Sequence, residues 1–336
     1  MGDRALAGTA AVTGAEGFIG SHLVQALVAR GIRVRAMVQY NAFDSRGWLD
    51  ALDRDVLASV DVQPGDVRDP ASVRELAQDA DVLYHLAALI AIPYSYRAPR
   101  SYVDTNILGT LNVLEAARQL GTPRIVHTST SEVYGTAQSV PITEDHPLQG
   151  QSPYSASKIG ADKLAESYNL SFNLPVATLR PFNTFGPRQS ARAVIPTIIS
   201  QVLAGATEIR LGDLRPTRDF TFVTDTAEAF IRVGEAPADA VVGRVLNAGT
   251  GVETSIGALV GLIAAVTGRQ VEVLEEPERL RPVGSEVMRL LCDSSRLTEA
   301  TGWRPQVALR TGLATTVAWF ADPANLARYR WGEYTV

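Results

Sequence analysis

The sequence contains a single cysteine, Cys292, among its 336 residues. One cysteine cannot form a disulfide within the chain, so we expect a reducing compartment, the cytoplasm, and a small buried apolar role for this side chain. The four histidines, His22, His85, His127 and His146, lie far apart and lack the spacing of metal ligands. We therefore expect no metal site.

Long apolar runs and one-sided charge are also missing. The longest apolar run, 256–266, is too short to cross a membrane and is interrupted by Gly257 and Gly261. The 31 basic and 36 acidic residues are mixed along the chain and give a net charge of −5, so no basic stripe predicts contact with nucleic acid or a membrane. Residues 1–4 lead directly into the first apolar segment, and we expect no signal peptide. The length of the chain predicts two lobes.

A glycine-rich turn joins the first predicted strand to the first predicted helix. Residues 9–13 predict a short buried strand, and 21–30 predict a helix. Between them three glycines are spaced as G-x-x-G-x-x-G, which lets backbone N–H groups approach a pyrophosphate at the helix N-terminus. In this strand–turn–helix context the spacing predicts dinucleotide binding. The predicted contacts in the turn are Gly14, Gly17, Phe18 and Ile19.

Strands and helices alternate over the first 180 residues. Further strands are predicted at 33–38, 60–64, 81–86, 124–127 and 176–180, and Asp69 is the expected N-cap of a helix that begins at Pro70. This alternation predicts an α/β fold with a doubly wound parallel (Rossmann) sheet that binds its ligand at the carboxyl ends of the strands. We predict a dinucleotide-binding domain over 1–180, to which 220–250 returns, and a smaller interleaved domain over 181–336.

The residues that follow the strands predict the remaining cofactor contacts. An acid near the end of the second strand usually holds the ribose hydroxyls of NAD, but here the strand ends in Val38-Gln39-Tyr40-Asn41. The missing acid removes repulsion against a 2′-phosphate and slightly favours NADP over NAD, with Arg35 or Arg46 as candidate phosphate partners. Besides Gln39, the predicted contacts are Asp66, Val67, Leu86, Ala87, Ala88 and Pro181.

The stretch Tyr154-Ser155-Ala156-Ser157-Lys158 begins a predicted helix. Residues four apart share a helix face, so Tyr154 and Lys158 can reach one site. An ammonium beside a phenol lowers the pKa of the phenol, and a phenolate can take a proton from a sugar or alcohol hydroxyl. Alone, such a pair is more often a surface feature, but hydroxyls and an acid gather at 128–135, after the fifth strand. Asn106, inside a helix predicted over 101–120, is either bonded locally or faces this site.

Jointly these motifs resemble the extended short-chain dehydrogenase/reductase family, the nucleotide-sugar epimerases and dehydratases. The resemblance covers nearly the whole chain. The matching segments are 13–20, 65–69, 85–88, 105–110, 129–135, 154–158, 180–183 and 218–220.

The resemblance implies a role for each matching residue. Tyr154 would be the base for the sugar 4-hydroxyl, Lys158 would hold the nicotinamide ribose and tune Tyr154, and Thr130 would hydrogen-bond the sugar O4. The family also implies a tightly held NAD or NADP and a homodimer that pairs helices 101–120 and 153–172. Arg218 would hold the substrate diphosphate, since an Arg fork suits phosphate oxygens, unless it pairs with Asp219. The implied substrate-binding residues are Asn106, Asn183, Arg192, Arg218 and Arg281.

Within the family, Thr130-Ser131-Glu132 resembles the 4,6-dehydratases, in particular the GDP-mannose branch. After oxidation at C4, Glu132 would take the C5 proton, water would leave from C6 and a hydride would return to C6. Ser131 stands where other dehydratases keep an acid, which leaves open the group that protonates the leaving hydroxyl. We therefore expect a nucleotide-sugar 4,6-dehydratase, a lyase.

Three alternatives remain beside this expectation. UDP-glucuronate decarboxylases also carry Thr-Ser-Glu, and plain 4-epimerases share the fold but need no base at C5. A non-catalytic redox sensor is remote, because such proteins typically lose the Tyr–Lys pair. The segments 39–41, 150–153 and 189–196 resemble dehydratases of the legionaminic-acid type, which use a nucleotide-linked N-acetylglucosamine. The apolar stretch 89–95 suits an acetamido methyl group, while the base and the C2 substituent, as in UDP- or GDP-N-acetylglucosamine or glucose, stay open.

Overall fold

The computed structural model describes residues 8–334 and has a parallel β-sheet at its centre. Six strands that precede residue 182 and one later strand, β10, form this sheet in the order β10-β6-β5-β4-β1-β2-β3, with every neighbouring pair parallel. The order reverses between β1 and β4, which confirms the predicted doubly wound Rossmann fold. In chain order the strands are β1 (Thr9–Thr13), β2 (Arg33–Gln39), β3 (Val60–Gly65), β4 (Val82–His85), β5 (Ile125–Thr128), β6 (Val176–Pro181), β7 (Asn183–Phe185), β8 (Glu208–Leu211), β9 (Thr217–Phe222), β10 (Val245–Ala248), β11 (Glu253–Ser255) and β12 (Glu272–Glu275).

Helices cover both faces of the central sheet. Successive strand residues point to opposite faces, so Val12 packs in one apolar core with Leu23 and Phe230, whereas Ala11 packs in another with Leu76 and Val113. The helices are α1 (Phe18–Ala29), α2 (Arg54–Ala58), α3 (Pro70–Ala77), α4 (Ile92–Arg97), α5 (Pro99–Tyr102), α6 (Gly109–Leu120), α7 (Pro153–Phe172), α8 (Val194–Leu203), α9 (Val223–Glu235), α10 (Ala238–Val241), α11 (Ile256–Thr267), α12 (Ser295–Thr301), α13 (Leu309–Ala321) and α14 (Pro323–Leu326).

The start of α3 agrees with its sequence signal, whereas the helix predicted over 101–120 does not form as one piece. The Asp69 side chain accepts hydrogen bonds from the backbone N–H groups of Ala71 and Ser72, both at 3.2 Å, and so caps α3. Between α5 and α6, the segment Val103–Leu108 winds as a π-helix. A π-helical turn changes the direction in which its side chains point, and here it contains the buried Asn106.

Two small sheets lie outside the central one. One has the order β11-β9-β7, the other pairs β12 with β8, and their apolar core includes Ile198, Leu259 and Phe320. Strand β10 pairs with β6 at the edge of the central sheet. The domain limits given above stay a prediction.

Two sequence-based expectations concern membranes and export. Among residues 8–334, no helix combines the length and the apolarity needed to span a bilayer. The expected lack of a signal peptide falls on residues 1–7, which lie outside the described part of the chain.

Replacing Gly20 with alanine is expected to destabilise the fold strongly. A Cβ atom at this position would lie 2.1 Å from the Gly14 carbonyl oxygen, because α1 packs directly on the turn before it. We expect the free energy of unfolding to fall by about 3 kcal/mol. Gly261→Ala is the control, since a Cβ there meets no atom within 4 Å and alanine favours a helix by up to ~1 kcal/mol. Urea unfolding measures both, and equal effects would contradict the close approach at Gly20.

Candidate active site

The candidate active site lies at the carboxyl ends of β1, β4, β5 and β6. The connections that follow β1 and β4 leave on opposite sides of the sheet, which opens a crevice between the two strand ends. The Thr13 hydroxyl oxygen at the end of β1 accepts hydrogen bonds from the N–H groups of Leu86 and Ala87, both at 3.1 Å. These bonds fix the two strand ends against each other.

The glycine-rich turn has the shape that a dinucleotide requires. Gly14 has a φ of +67°, and a Cβ atom on it would lie 2.7 Å from the Ala87 nitrogen. Gly17 precedes α1, and its N–H bonds the Gly14 carbonyl at 3.1 Å, which closes the turn. The turn therefore brings backbone and a helix N-terminus, without bulky side chains, to the crevice. This arrangement fits the pyrophosphate of NAD or NADP.

The other predicted cofactor residues surround the same edge of the sheet. Asp66 is hydrogen-bonded to Arg68, with Arg68 Nε to Asp66 Oδ1 at 2.9 Å, and this bond lowers the pKa of Asp66. Gln39 is exposed, whereas Val67 is buried. Pro181 is also buried, and Phe18, Ile19, Leu86, Ala87 and Ala88 are half-buried.

Tyr154 is buried at the first turn of α7. Burial raises the pKa of its phenol, a hydrogen bond from Thr130 lowers it, and the nearby charge of Glu132 raises it, so that the net pKa is raised. The expected lowering of this pKa by Lys158 stays a prediction. The Lys158 ammonium donates a hydrogen bond to the Thr128 carbonyl at 2.6 Å. Loss of solvation is the largest influence on the pKa of the Tyr154 phenol.

Lys158 is itself 3% exposed and rests on a buried ionic network. Burial lowers the pKa of Lys158 to about 8, although the Asp162 carboxylate raises it. Asp162 accepts hydrogen bonds from Ser129 at 2.7 Å and Arg180 at 2.9 Å and lies 3.1 Å from the His127 ring nitrogen. Sequence reasoning missed Asp162, although Tyr154, Lys158 and Asp162 follow at four-residue steps along one helix face.

Lys158→Met is expected to stabilise the chain at pH 7 by about 2 kcal/mol, the ionisation penalty minus one lost hydrogen bond. Because burial lowers the pKa of Lys158, the penalty is complete below about pH 8 and disappears as the pH rises towards 10.5. Melting temperatures at pH 7 and pH 10 measure this: the variant should melt higher at pH 7 and lose most of that advantage at pH 10. An advantage that stays constant between the two pH values would contradict a buried, charged Lys158. Lys163→Met, on an exposed side chain of the same helix, is the control.

Glu132 lies between the phenol and a buried guanidinium group. It follows β5 in a short 3₁₀-helix, Ser131–Tyr134, whose N-cap Thr130 accepts the Glu132 N–H at 3.2 Å. The charge of Glu132 raises the pKa of both Tyr154 and Arg218. The adjacent Ser131 is buried. The structure thus places a hydroxyl, a phenol and a carboxylate in the same region, after the carboxyl end of β5.

Two arginines, Arg218 and Arg281, meet at one carboxylate. The Glu286 Oε1 atom lies 3.3 Å from Arg218 Nη2 and 3.6 Å from Arg281 Nη1. Burial lowers the pKa of Arg218, which is 6% exposed. The planar guanidinium forks of the two arginines suit the oxygens of a diphosphate. Sequence reasoning missed Glu286, because a single acid in a charged loop carries no signal of its own.

The alternative pairing of Arg218 with Asp219 is not found. The Asp219 carboxylate instead accepts the N–H groups of Thr250 and Gly251, both at 2.8 Å. Near the two arginines, Asn183 begins β7, and its side-chain oxygen is buried without a hydrogen-bond partner among the described residues. Arg192 is exposed, and its charge lowers the pKa of Tyr102, which places it on the side of α5.

Asn106 does not present its amide to a substrate, which corrects the prediction of direct binding. Its side-chain NH₂ donates to the Leu89 carbonyl at 3.0 Å and to the Ser157 hydroxyl at 2.9 Å, and its oxygen accepts the Leu89 N–H at 2.9 Å. Both amide hydrogens are thus used inside the chain, and the residue is 1% exposed. Asn106 therefore ties the loop after β4 to α7, between Tyr154 and Lys158.

An apolar wall adjoins Tyr154. The rings of Tyr102 and Tyr154 meet edge to face with centroids 6.2 Å apart, and Ile92 and Leu89 pack in the same cluster. The Tyr102 hydroxyl donates to the Ala91 carbonyl at 2.5 Å, which holds this wall in place. The sequence analysis identified the apolar stretch 89–95 but not Tyr102. Tyr102 is followed by the π-helical segment Val103–Leu108, and hydrophobic periodicity does not predict such a segment. Within residues 8–334, no cluster of three or more potential ligand side chains could hold a metal ion.

Comparison with known proteins agrees with this architecture. Residues 11–316 match the family model described as GDP-mannose 4,6 dehydratase. The chain is 37% identical to a UDP-glucose 4-epimerase from Mycolicibacterium smegmatis, with 94% of this chain and 99% of that protein covered. It is 36% identical to a dTDP-glucose 4,6-dehydratase from Streptomyces griseus, with 92% and 93% covered. A UDP-N-acetyl-alpha-D-glucosaminuronate decarboxylase from Bacillus cytotoxicus is 32% identical, with 94% and 98% covered.

Solved structures of similar proteins carry nicotinamide cofactors. The dTDP-glucose 4,6-dehydratase DesIV from Streptomyces venezuelae, solved with NAD bound, superposes with a TM-score of 0.81 at 30% identity and 94% and 97% coverage. RMD from Pseudomonas aeruginosa, solved with NADPH, gives a TM-score of 0.78 at 27% identity and 94% and 99% coverage. With the fold and the match over most of its length, the chain belongs to the extended short-chain dehydrogenase/reductase family, as an enzyme of its nucleotide-sugar dehydratase and epimerase group.

Proposed function

We propose that this enzyme is a nucleotide-sugar 4,6-dehydratase, which converts a nucleoside-diphosphate hexose to the 4-keto-6-deoxy sugar. The observation that carries the proposal is the position of Glu132: its backbone N–H bonds the Thr130 hydroxyl at 3.2 Å, and Thr130 in turn hydrogen-bonds Tyr154. Elimination of water across C5 and C6 needs a base for the C5 proton, whereas a 4-epimerase has no use for one. An acid beside the phenol therefore favours the dehydratase.

The chain supplies proton transfer and charge to this reaction. When bound, the nicotinamide cofactor would supply the hydride acceptor for the sugar C4 and the hydride donor for C6. Tyr154 takes the proton of the 4-hydroxyl, and Thr130, hydrogen-bonded to Tyr154, holds the sugar O4. The 4-ketone acidifies the C5 proton, which Glu132 removes and delivers to the departing C6 hydroxyl, so that water leaves. C5 regains a proton when the hydride enters at C6, and the proton that Tyr154 took from the 4-hydroxyl balances it. Lys158, one helical turn after Tyr154, would supply the positive charge that favours the phenolate.

The diphosphate of the substrate would bind at Arg218 and Arg281, with Asn183 beside them. Both guanidinium groups approach the Glu286 carboxylate, and their planar forks match phosphate oxygens. The buried, unpartnered Asn183 oxygen can accept a hydrogen bond from a hydroxyl of the nucleotide sugar. Anchoring the diphosphate at this wall leaves the hexose facing Tyr154 and Glu132.

An N-acetylated hexose is the substrate class that we favour. The wall formed by Leu89, Ile92 and Tyr102 is apolar and adjoins Tyr154, which suits an acetamido methyl and disfavours a free carboxylate. This disfavours the decarboxylase, whose substrate carries a carboxylate at C5. Glucose-based substrates are the second choice. Turnover of UDP- or GDP-glucose without turnover of the N-acetyl sugars would overturn this assignment.

Mass spectrometry of products from UDP-, GDP- and dTDP-linked sugars tests the proposal. Loss of one water from a hexose substrate is the expected result. Loss of carbon dioxide from a glucuronate substrate would identify a decarboxylase, and unchanged mass with altered retention a 4-epimerase. A protein that binds cofactor but turns over none of the sugars would be a redox sensor.

We also propose a homodimer formed through α6, α7 and the π-helical turn. Leu108, Leu170 and Phe172 are 45%, 75% and 52% exposed although they are apolar, and they lie on these helices. A second copy would cover them. Light scattering at micromolar concentration should give twice the mass of the 36.0 kDa chain, and a monomer would contradict the proposal.

A further inference from the structure

Glu16, in the middle of the glycine-rich turn, directs its carboxylate to the end of β2. Its Oε1 atom accepts the backbone N–H of Gln39 at 3.1 Å. Its Oε2 atom is buried and has no hydrogen-bond partner among the described residues. Burial raises the pKa of Glu16, and the hydrogen bonds from backbone N–H groups lower it. One acceptor oxygen is therefore available beside the carboxyl end of β2.

This is the place where a Rossmann fold receives the adenosine ribose of a dinucleotide. In the usual arrangement an acid on the second strand accepts the ribose hydroxyls, and here β2 ends at Gln39 without one. Glu16 reaches the same point from the turn after β1. A carboxylate is thus present although the second strand does not supply it.

The two arginines considered for a 2′-phosphate are engaged elsewhere. Arg35 donates to the backbone carbonyls of Leu76 and Gln78 at the end of α3. Arg46 Nε donates to Asp50 Oδ1 at 2.8 Å, and the Arg46 backbone N–H also bonds this carboxylate. Neither guanidinium group is paired with the Glu16 carboxylate.

We propose that Glu16 accepts hydrogen bonds from the adenosine ribose hydroxyls and thereby selects NAD over NADP. A carboxylate accepts hydroxyl donors, whereas a 2′-phosphate brings further negative charge to the same point and is repelled. This preference is opposite to the one that the missing acid on β2 suggested. The inference rests on binding of a nicotinamide cofactor but not on the dehydratase reaction, so a failed product assay would leave it intact.

The test measures the dissociation constants of NADH and NADPH by fluorescence, on protein from which bound nucleotide has been removed. Wild-type protein is expected to bind NADH at least about tenfold more tightly than NADPH, and Glu16→Gln is expected to reduce that ratio about tenfold. Glutamine can still accept the Gln39 N–H, so the fold should be kept, which the melting temperature checks. Asp44→Asn removes the same charge from an exposed position in the loop after β2 and should leave the ratio unchanged.

Two results would overturn the proposal: a wild-type preference for NADPH, or a ratio that Glu16→Gln leaves unchanged. If Glu16→Gln does not fold, Glu16→Asp keeps the charge but withdraws it by one methylene. Glu16→Asp should also lower the preference for NADH over NADPH, and an unchanged preference would overturn the proposal. Mass spectrometry of the nucleotide released from freshly purified protein is an independent readout, and NAD is the expected species.

Discussion

Glu132→Gln is expected to lower the rate of 4-keto-6-deoxy sugar formation by about 10³-fold while leaving oxidation at C4 intact. Glutamine keeps the shape of the side chain but cannot take the C5 proton. The variant should therefore stop after the first step and accumulate reduced cofactor, which absorbance at the nicotinamide band detects. Exchange of the C5 proton with deuterated solvent should fall in parallel, since it requires the same base.

A matched control separates this effect from a general loss of charge. Glu166 is exposed on α7, so Glu166→Gln makes the same chemical change outside the site and should leave turnover unchanged. Full dehydration by the Glu132→Gln variant would remove Glu132 from the proposed role. Loss of cofactor reduction together with elimination would show instead that the side chain is needed before the C5 proton is taken.

Tyr154→Phe is expected to lower turnover by about 10³- to 10⁴-fold and, unlike Glu132→Gln, to abolish reduction of the cofactor as well. The phenol takes the proton from the 4-hydroxyl, so without it oxidation at C4 does not begin. The ring and its packing remain, and the KM for the nucleotide sugar should change little. Stopped-flow absorbance of the nicotinamide band in a single turnover measures the first step directly.

Tyr102→Phe is the control for this variant. It removes the hydroxyl from the ring that packs edge to face on Tyr154, and that hydroxyl bonds the Ala91 carbonyl rather than a reacting group. The expected result is a small loss of stability, about 1 kcal/mol, with kcat within a few-fold of wild type. Equal loss of kcat in both variants would contradict a special role for Tyr154.

The central sheet was predictable because its signals are local. Each buried strand is a short apolar run, and Asp69 before Pro70 announces the start of α3 within four residues. The segment 220–250 was also expected to return to the first domain, and its strand β10 pairs with β6. Such features depend on hydrogen bonds and periodicity over a few positions, which a sequence carries directly.

The parts of the site that were not predicted depend on contacts between distant segments. The lowered pKa of Lys158 and the raised pKa of Tyr154 follow from burial, which the spacing of the two residues does not reveal. Glu286 approaches Arg218 from a loop 68 residues later, and Glu16 reaches the end of β2 across the turn. The sequence could not decide whether Asn106 is bonded locally or faces the site, because only the fold shows that Leu89 and Ser157 use its amide.

A nucleotide sugar labelled with deuterium at C4 tests the central claim most directly. The enzyme is incubated with labelled UDP-N-acetylglucosamine and, in parallel, labelled GDP- and dTDP-linked hexoses, and the product is analysed by mass spectrometry and NMR. The account predicts loss of one water and deuterium at C6 of the 4-keto product. A product of unchanged mass that keeps its deuterium at C4 would mean epimerisation and would contradict the account.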